Sequence, residues 1–115
     1  MSHYRLCVGM PWFAFLQNKV KTIEGRLAKP GKVASSVQPG DTITFVCGLE
    51  SFDAIVVRCS HYACIEDYLI VEGLSNCLPG VDTINEGVDI YHQFYSAEAE
   101  ARYGVMAIEI QSYNN

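Results

Sequence analysis

Short runs of apolar residues, separated by polar turn sequences, recur along the chain and predict five β-strands. The runs are rich in β-branched and aromatic residues, which favour strands. Two turn sequences, Lys29–Lys32 and Gln38–Asp41, separate the second predicted strand from the third. The predicted strands are Tyr4–Val8, Lys21–Leu27, Thr42–Cys47, Phe52–Tyr62 and Val105–Ile110.

A second pattern, in which apolar side chains recur three and four residues apart, predicts four short helices. In the first of them, Trp12, Phe15 and Leu16 would share one face. The third begins with the spacing of a capping box, at Thr83 and Glu86. The predicted helices are Trp12–Asn18, Ile65–Val71, Thr83 to about Phe94, and Ala97–Tyr103. The element order β-α-β-β-β-α-α-α-β indicates a small mixed barrel or curled sheet with helices packed around it.

Length and composition limit the class of protein. The 115 residues, half of them apolar, are enough for one domain with a sizeable core. No apolar run approaches the roughly 20 residues that span a bilayer, so we expect no membrane partner. The run Cys7–Leu16 has the length of the apolar part of a signal peptide, but it lacks a small-residue cleavage site and is interpreted as mature structure.

The five cysteines carry no regular spacing, which favours free thiols and hence an intracellular protein of the cytoplasm or nucleus. Cys59, His61 and Cys64 are the nearest approach to a metal-binding motif. No second pair of ligands completes that motif. We therefore expect neither a metal nor a cofactor.

Charge is distributed unevenly between the two parts of the chain. Residues 1–40 contain one acid, Glu24, against six cations and have a net charge of +5, whereas residues 41–115 contain twelve acids against two arginines and have a net charge of −10. Because screening confines electric fields to roughly 10 Å at 0.1 M salt, a local basic site can persist on an acidic protein. The six cations are Arg5, Lys19, Lys21, Arg26, Lys29 and Lys32.

The segment Lys19–Arg26 is the first candidate for function, because charges in a half-buried strand are costly unless they pair or bind a ligand. In a strand, Glu24 and Arg26 lie on one face and can pair, while Lys21 lies at the strand entrance. An arginine held in place beside a lysine suits a phosphate, and a nearby aromatic side chain suits a stacked base. The alternative, a partly buried salt bridge that only orients the strand, remains open.

Several short motifs, in this order along the chain, resemble the ASCH domain family. They are Trp12, Lys21-Thr-Ile-Glu24-x-Arg26, Pro39-Gly40-Asp41, Leu78-Pro79-Gly80, Phe94-Tyr95-Ser96 and Tyr103-Gly104-Val105. The resemblance implies a single ASCH-like domain over residues 1–115 with an α+β fold, a PUA-like small mixed β-barrel with flanking short helices. It also implies a cleft beside the barrel, lined by the lysine, acid and arginine of the K-x-x-E-x-R segment, and a link to RNA.

Our first hypothesis is therefore a module that binds RNA, or a nucleotide or nucleoside, in this cleft. The expected ligand-binding residues are Trp12, Lys21, Glu24, Arg26 and Tyr95. The basic charge of the first 40 residues supports a site for phosphate, and the aromatic residues support a site for a base.

Two other functions remain open. The resemblance also implies a small hydrolase that acts on a modified nucleoside, like the acetylcytidine amidohydrolases, or on RNA, with Lys21 and Glu24 as catalytic residues and Glu72 as a second acid. Glu24 stands where the amidohydrolase pattern has a threonine, which removes the expected hydroxyl. The third function is a protein partner that binds the acidic C-terminal half through Asp82, Glu86 and Asp89.

Overall fold

The five strands form one curled sheet in the computed structural model, which describes residues 1–113. The strands are β1 (His3–Cys7), β2 (Ile23–Leu27), β3 (Thr42–Cys47), β4 (Glu50–Tyr62) and β5 (Val105–Ser112). Their order in the sheet is β1-β3-β4-β5-β2, in which β1 and β3 are parallel and the other neighbours are antiparallel. The sheet curls into a half-barrel, so the predicted α+β fold, a small PUA-like barrel with flanking short helices, is confirmed.

Six short helices pack around the sheet in the described part of the chain. They are α1 (Trp12–Gln17), α2 (Val33–Ser36), α3 (Ile65–Glu72), α4 (Leu74–Cys77), α5 (Ile84–His92) and α6 (Ala97–Tyr103). Thr83 caps this helix as predicted, since its hydroxyl accepts a hydrogen bond of 3.2 Å from the backbone N–H of Glu86, and the same hydroxyl donates to Oε1 of Glu86 at 2.9 Å. The four-residue helices α2 and α4 were not predicted, because one helical turn carries no periodic pattern. Within residues 1–113, none of the helices has the length and apolar character needed to cross a membrane.

Two apolar cores lie on opposite faces of strand β5. Ile108 and Ile110 face the first core, which β1, β3, β4 and α1 also line, whereas Val105 and Ala107 face the second core under α3, α4 and α5. Trp12 packs against both cores and therefore marks the boundary between them.

The face predicted for the first helix was wrong in part. Phe13 and Leu16 are fully buried, while Trp12 and Phe15 are only partly buried. A helix of six residues makes fewer than two turns, so packing decides which side faces the core: the ring of Phe13 meets the edge of Phe52 at 5.3 Å between centroids. Trp12 is thereby left at the core boundary.

Gly25 allows helix α3 to pack closely on strand β2. A Cβ atom at this position would lie 2.5 Å from the hydroxyl oxygen of Tyr68 and 2.6 Å from its ring. The Tyr68 hydroxyl also shares a hydrogen bond of 2.8 Å with the hydroxyl of Tyr91 on α5. Gly25 therefore fixes the distance between the K-x-x-E-x-R segment and the helices that cover it.

Candidate functional site

The candidate site lies at the opening of the half-barrel, between its two edge strands. Arg26 on β2 donates from Nη2 to the backbone carbonyl of Cys7 on β1 at 2.7 Å, and this hydrogen bond joins the two edges. A cavity of about 140 Å³ opens there, walled by β1 and α1 on one side and by β2 and α5 on the other. The five predicted ligand-binding residues all line it: Trp12, Lys21, Glu24, Arg26 and Tyr95.

Lys21 does not lie in the strand, contrary to the prediction of a strand over Lys21–Leu27. Its backbone N–H donates to the carbonyl of Phe15 at 3.0 Å, outside the sheet, and β2 begins at Ile23. The side chain, 1% exposed, donates from Nζ to the carbonyls of Ile23 and Cys77 and lies 3.5 Å from Oε1 of Glu24. Two of the three N–H donors of the ammonium group thus go to backbone carbonyls, and its charge also faces the carboxylate of Glu24. Burial lowers the pKa of Lys21, and the carboxylate of Glu24 opposes that shift.

Glu24 lies between two cations. Its Oε1 faces Lys21 and its Oε2 accepts a hydrogen bond of 2.8 Å from Nε of Arg26, with only 8% of the side chain exposed. An ionised carboxylate is an acceptor with about four lone-pair sites, so both oxygens can still accept from a ligand. In a cavity of low polarity, this group selects partners that carry N–H or O–H donors.

Arg26 is the more accessible cation of the site, with 24% of its side chain exposed. Burial opposes the charge of Arg26, but the attraction and hydrogen bond of Glu24, together with the attraction of nearby Tyr95 and Tyr91, outweigh burial and raise its pKa. Among the described residues, Glu24 and the carbonyl of Cys7 accept hydrogen bonds from two of its five N–H donors. The planar guanidinium is thus oriented by the protein while donors remain for a ligand.

Aromatic side chains form the rest of the wall. The rings of Tyr91 and Tyr95 are nearly parallel, 15° apart with centroids 6.5 Å apart, and burial raises the pKa of both hydroxyls. Phe94 also lines the cavity and is 67% exposed, so it forms part of the rim. Phe94 and Tyr91 were not in the predicted set, because sequence does not distinguish an aromatic residue at a cavity from one in a core.

The second acid proposed for a hydrolase lies elsewhere. Both carboxylate oxygens of Glu72 accept hydrogen bonds from Arg58, at 2.6 and 2.9 Å, and the Tyr62 hydroxyl donates to one of them. These hydrogen bonds from Arg58 lower the pKa of Glu72. Glu72 does not line the cavity, so the structure does not bring it together with Lys21 and Glu24.

The metal-binding and protein-partner candidates of the sequence lie away from the cavity. Over residues 1–113, no group of three or more His, Cys, Asp or Glu side chains is arranged to hold a metal ion, and all five cysteines are free thiols. The acidic residues named for a protein partner are exposed, and that partner stays a prediction; they are Asp82, Glu86 and Asp89.

No model of a known protein family matches the chain, and no curated protein matches it significantly. Solved structures do match, among them two over nearly the whole length. The crystal structure of hypothetical protein PH0355 is 35% identical, with a TM-score of 0.88 and coverage of 96% of this chain and 98% of the other. The solution NMR structure of protein PF0455 from Pyrococcus furiosus is 34% identical, with a TM-score of 0.81 and coverage of 98% and 99%.

The fold and the cavity thus define a small α+β half-barrel protein with a charged, aromatic-lined site at its open edge. At these identities and coverages, the chain belongs to one family with PH0355 and PF0455. The resemblance of its motifs to the ASCH domain family stays a prediction.

Proposed function

We propose that this protein binds nucleotides, free or within RNA, by holding the nucleobase in the cavity between β1 and β2. The observation that carries the proposal is the pairing of Glu24 with Arg26, side by side, in the wall of a cavity that is otherwise largely aromatic and aliphatic. A hydrogen-bond acceptor next to a donor, with flat apolar surfaces around them, is the environment that protein sites use to recognise single-stranded bases.

The size of the cavity supports a single ring as the buried part of the ligand. Its volume of about 140 Å³ is close to the roughly 150 Å³ cavity that holds one benzene molecule, and below the roughly 300–1,000 Å³ of pockets for larger ligands. A pyrimidine ring therefore fits inside, while the ribose and phosphate stay outside.

The charges of the wall favour an amino-bearing base. The carboxylate of Glu24 can accept a hydrogen bond from the N4 amino group of cytosine. The O4 oxygen of uracil is itself an acceptor, so in its place two acceptors would face each other. Arg26 can donate to the ring nitrogen N3 beside that amino group, or to the carbonyl oxygen O2 next to N3. We therefore infer a preference for cytosine over uracil.

The same contacts support binding more than hydrolysis. Each oxygen of Glu24 faces a cation of the protein, which fixes the carboxylate in place as an acceptor for the donors of a ligand. The ammonium of Lys21 donates to two backbone carbonyls and faces Glu24, so it is held by protein groups and not aimed at a substrate carbonyl. Incubation with acetylcytidine and with short RNA, followed by chromatography, tests this step: products that disappear with Lys21→Ala would make the protein an enzyme.

The binding test uses Trp12, which is the only tryptophan and lines the cavity. We expect cytidine to change its fluorescence saturably and uridine to bind more weakly, with free tryptophan as the control for absorbance by the nucleoside. Glu24→Gln should weaken cytidine binding by about tenfold or more, because a hydrogen bond to a charged group contributes about 1.5–3 kcal/mol. The exposed Glu50→Gln is the matched control and should leave binding unchanged.

A second variant covers the case in which Glu24→Gln does not fold. Phe94 is largely exposed, so Phe94→Ala should fold normally and weaken binding by removing part of the rim. Tyr113→Ala removes another exposed aromatic ring that does not line the cavity and should have no effect. The proposal is wrong if folded wild-type protein gives no saturable response to cytidine or to cytidine-containing RNA at low salt.

A further inference from the structure

A second cavity, of about 270 Å³, shares two wall residues, Arg26 and Tyr95, with the first. We propose that this second cavity is a phosphate subsite, so that the ligand is a phosphorylated nucleotide and not a free nucleoside. This inference rests on the proposed function, because it places the phosphate relative to a base held in the first cavity. The phosphate belongs either to a free nucleotide or to a nucleotide within RNA, which share this chemistry.

The charges that line the two cavities differ in sign. The first cavity contains the carboxylate of Glu24, which repels a phosphate. The second is lined by three cations, Arg26, Lys29 and Lys32, and by no acidic residue of the described chain; aliphatic side chains and Tyr95 form the rest of its wall. Since opposite charges attract over the few ångströms of such a cavity, the anionic part of a bound nucleotide is directed away from Glu24 and into the second cavity.

The turn that carries the two lysines is held in place. The hydroxyl oxygen of Ser35 lies 2.9 Å from the carbonyl oxygens of both Lys29 and Lys32. Gly31 between them has φ of 81°, a conformation that glycine adopts at little cost. Lys29 also places its Nζ 6.0 Å from the centre of the Tyr103 ring. Cations on a fixed turn lose less freedom when they bind an anion than cations on a mobile loop.

Arg26 connects the two cavities. Its hydrogen bonds to Glu24 and to the carbonyl of Cys7 orient the guanidinium but leave three of its five donors without an acceptor among the described residues. A planar guanidinium can contact a base edge on one side and a phosphate oxygen on the other. One arginine thus contributes to both parts of the same ligand.

The experiment compares cytidine with cytidine 5′- and 3′-monophosphate by Trp12 fluorescence and calorimetry. At about 0.01 M salt, where screening is weak, we expect at least one monophosphate to bind about tenfold tighter than cytidine. That gain should shrink markedly at about 0.15 M salt. In the double variant Lys29→Gln/Lys32→Gln, it should fall below about threefold, while the affinity for cytidine itself stays unchanged.

The control variant Arg5→Gln/Lys19→Gln also removes two positive charges, but from exposed residues that line neither cavity. This control should still bind the monophosphate more tightly than cytidine, by about the wild-type factor, because it changes net charge but not the second cavity. A short oligocytidylate tests the source of the phosphate: tighter binding than either monophosphate identifies RNA, and equal or weaker binding identifies a free nucleotide.

The outcomes separate this inference from the proposed function. If cytidine binds but neither monophosphate binds tighter, or if the gain survives Lys29→Gln/Lys32→Gln, the phosphate subsite is refuted while the base site stands. If a monophosphate binds through the two lysines but Glu24→Gln and Phe94→Ala leave its affinity unchanged, the phosphate subsite stands and the base site is refuted.

Discussion

Replacement of Lys21 by methionine tests how the charged residues of the site are held. Methionine keeps an unbranched apolar side chain of similar length but removes the ammonium group. In the wild-type protein that group donates to the carbonyls of Ile23 and Cys77 and faces Glu24 from a side chain that is 1% exposed. The variant therefore leaves two carbonyls without their donor and a carboxylate with one cation fewer.

The size of the effect follows from this environment. Removal of one partner from a buried ion pair typically costs 3–5 kcal/mol. Since Glu24 keeps Arg26 as its second partner, we expect a loss near the lower end, about 3 kcal/mol. At an unfolding entropy of about 2.1 cal/mol/K per residue, the 115 residues give about 0.24 kcal/mol/K, and Tm falls by about 12 °C.

The assay is thermal and urea unfolding followed by circular dichroism, with the exposed Lys32→Met as the matched control. The control should change stability by less than about 0.5 kcal/mol. The stability loss of the double variant Lys21→Met/Glu24→Gln should be smaller than the sum of the two single losses by at least about 1 kcal/mol, because the two groups interact directly. A Tm within about 4 °C of wild type for Lys21→Met would refute the reasoning, since it would mean that the ammonium contributes little to the fold.

Two further predictions concern the packing beside the site and the ion pair between Arg58 and Glu72, which lies away from it. Gly25→Ala should lower stability by about 1–3 kcal/mol, measured by urea unfolding, because its Cβ would overlap the Tyr68 side chain; Gly9→Ala, where nothing lies within 4 Å, is the control. Arg58→Gln should cost about 1–2 kcal/mol at pH 7. Arg58 lowers the pKa of Glu72, so the stability it adds is present above the unfolded pKa of about 4.3 and is lost as pH falls through the lower folded pKa. The stability difference between wild type and Arg58→Gln should therefore shrink in acid, and a difference that stays constant from pH 7 to pH 3 would contradict this assignment.

The sequence predicts most of the elements because their signals are local. Strand Thr42–Cys47 and helix Ala97–Tyr103 have the predicted bounds, and a proline-glycine turn and a serine cap respectively precede them. The position of Lys21 was not predictable from local pattern. The buried position of its side chain depends on the hydrogen bond to the carbonyl of Cys77, which is 56 residues away along the chain. Which of several aromatic residues would reach the cavity also depends on where α5 lies relative to β1 and α1 across the cavity, and no local pattern records that arrangement.

The structure gives separate roles to the residues of the K-x-x-E-x-R segment. Lys21 is 1% exposed, donates to two backbone carbonyls and faces Glu24, so it helps to hold that carboxylate in place. Gly25 admits Tyr68 against the strand, and Arg26 joins the two edges of the half-barrel while it keeps donors for a ligand. The interpretation as a salt bridge that only orients the strand therefore fits the contacts of Lys21, and the interpretation as a ligand site fits those of Arg26. Variants of Lys21 should act mainly on stability, whereas variants of Arg26, which also pairs with Glu24 at 2.8 Å, should act on binding as well as on stability, so comparison of the two residues tests the division.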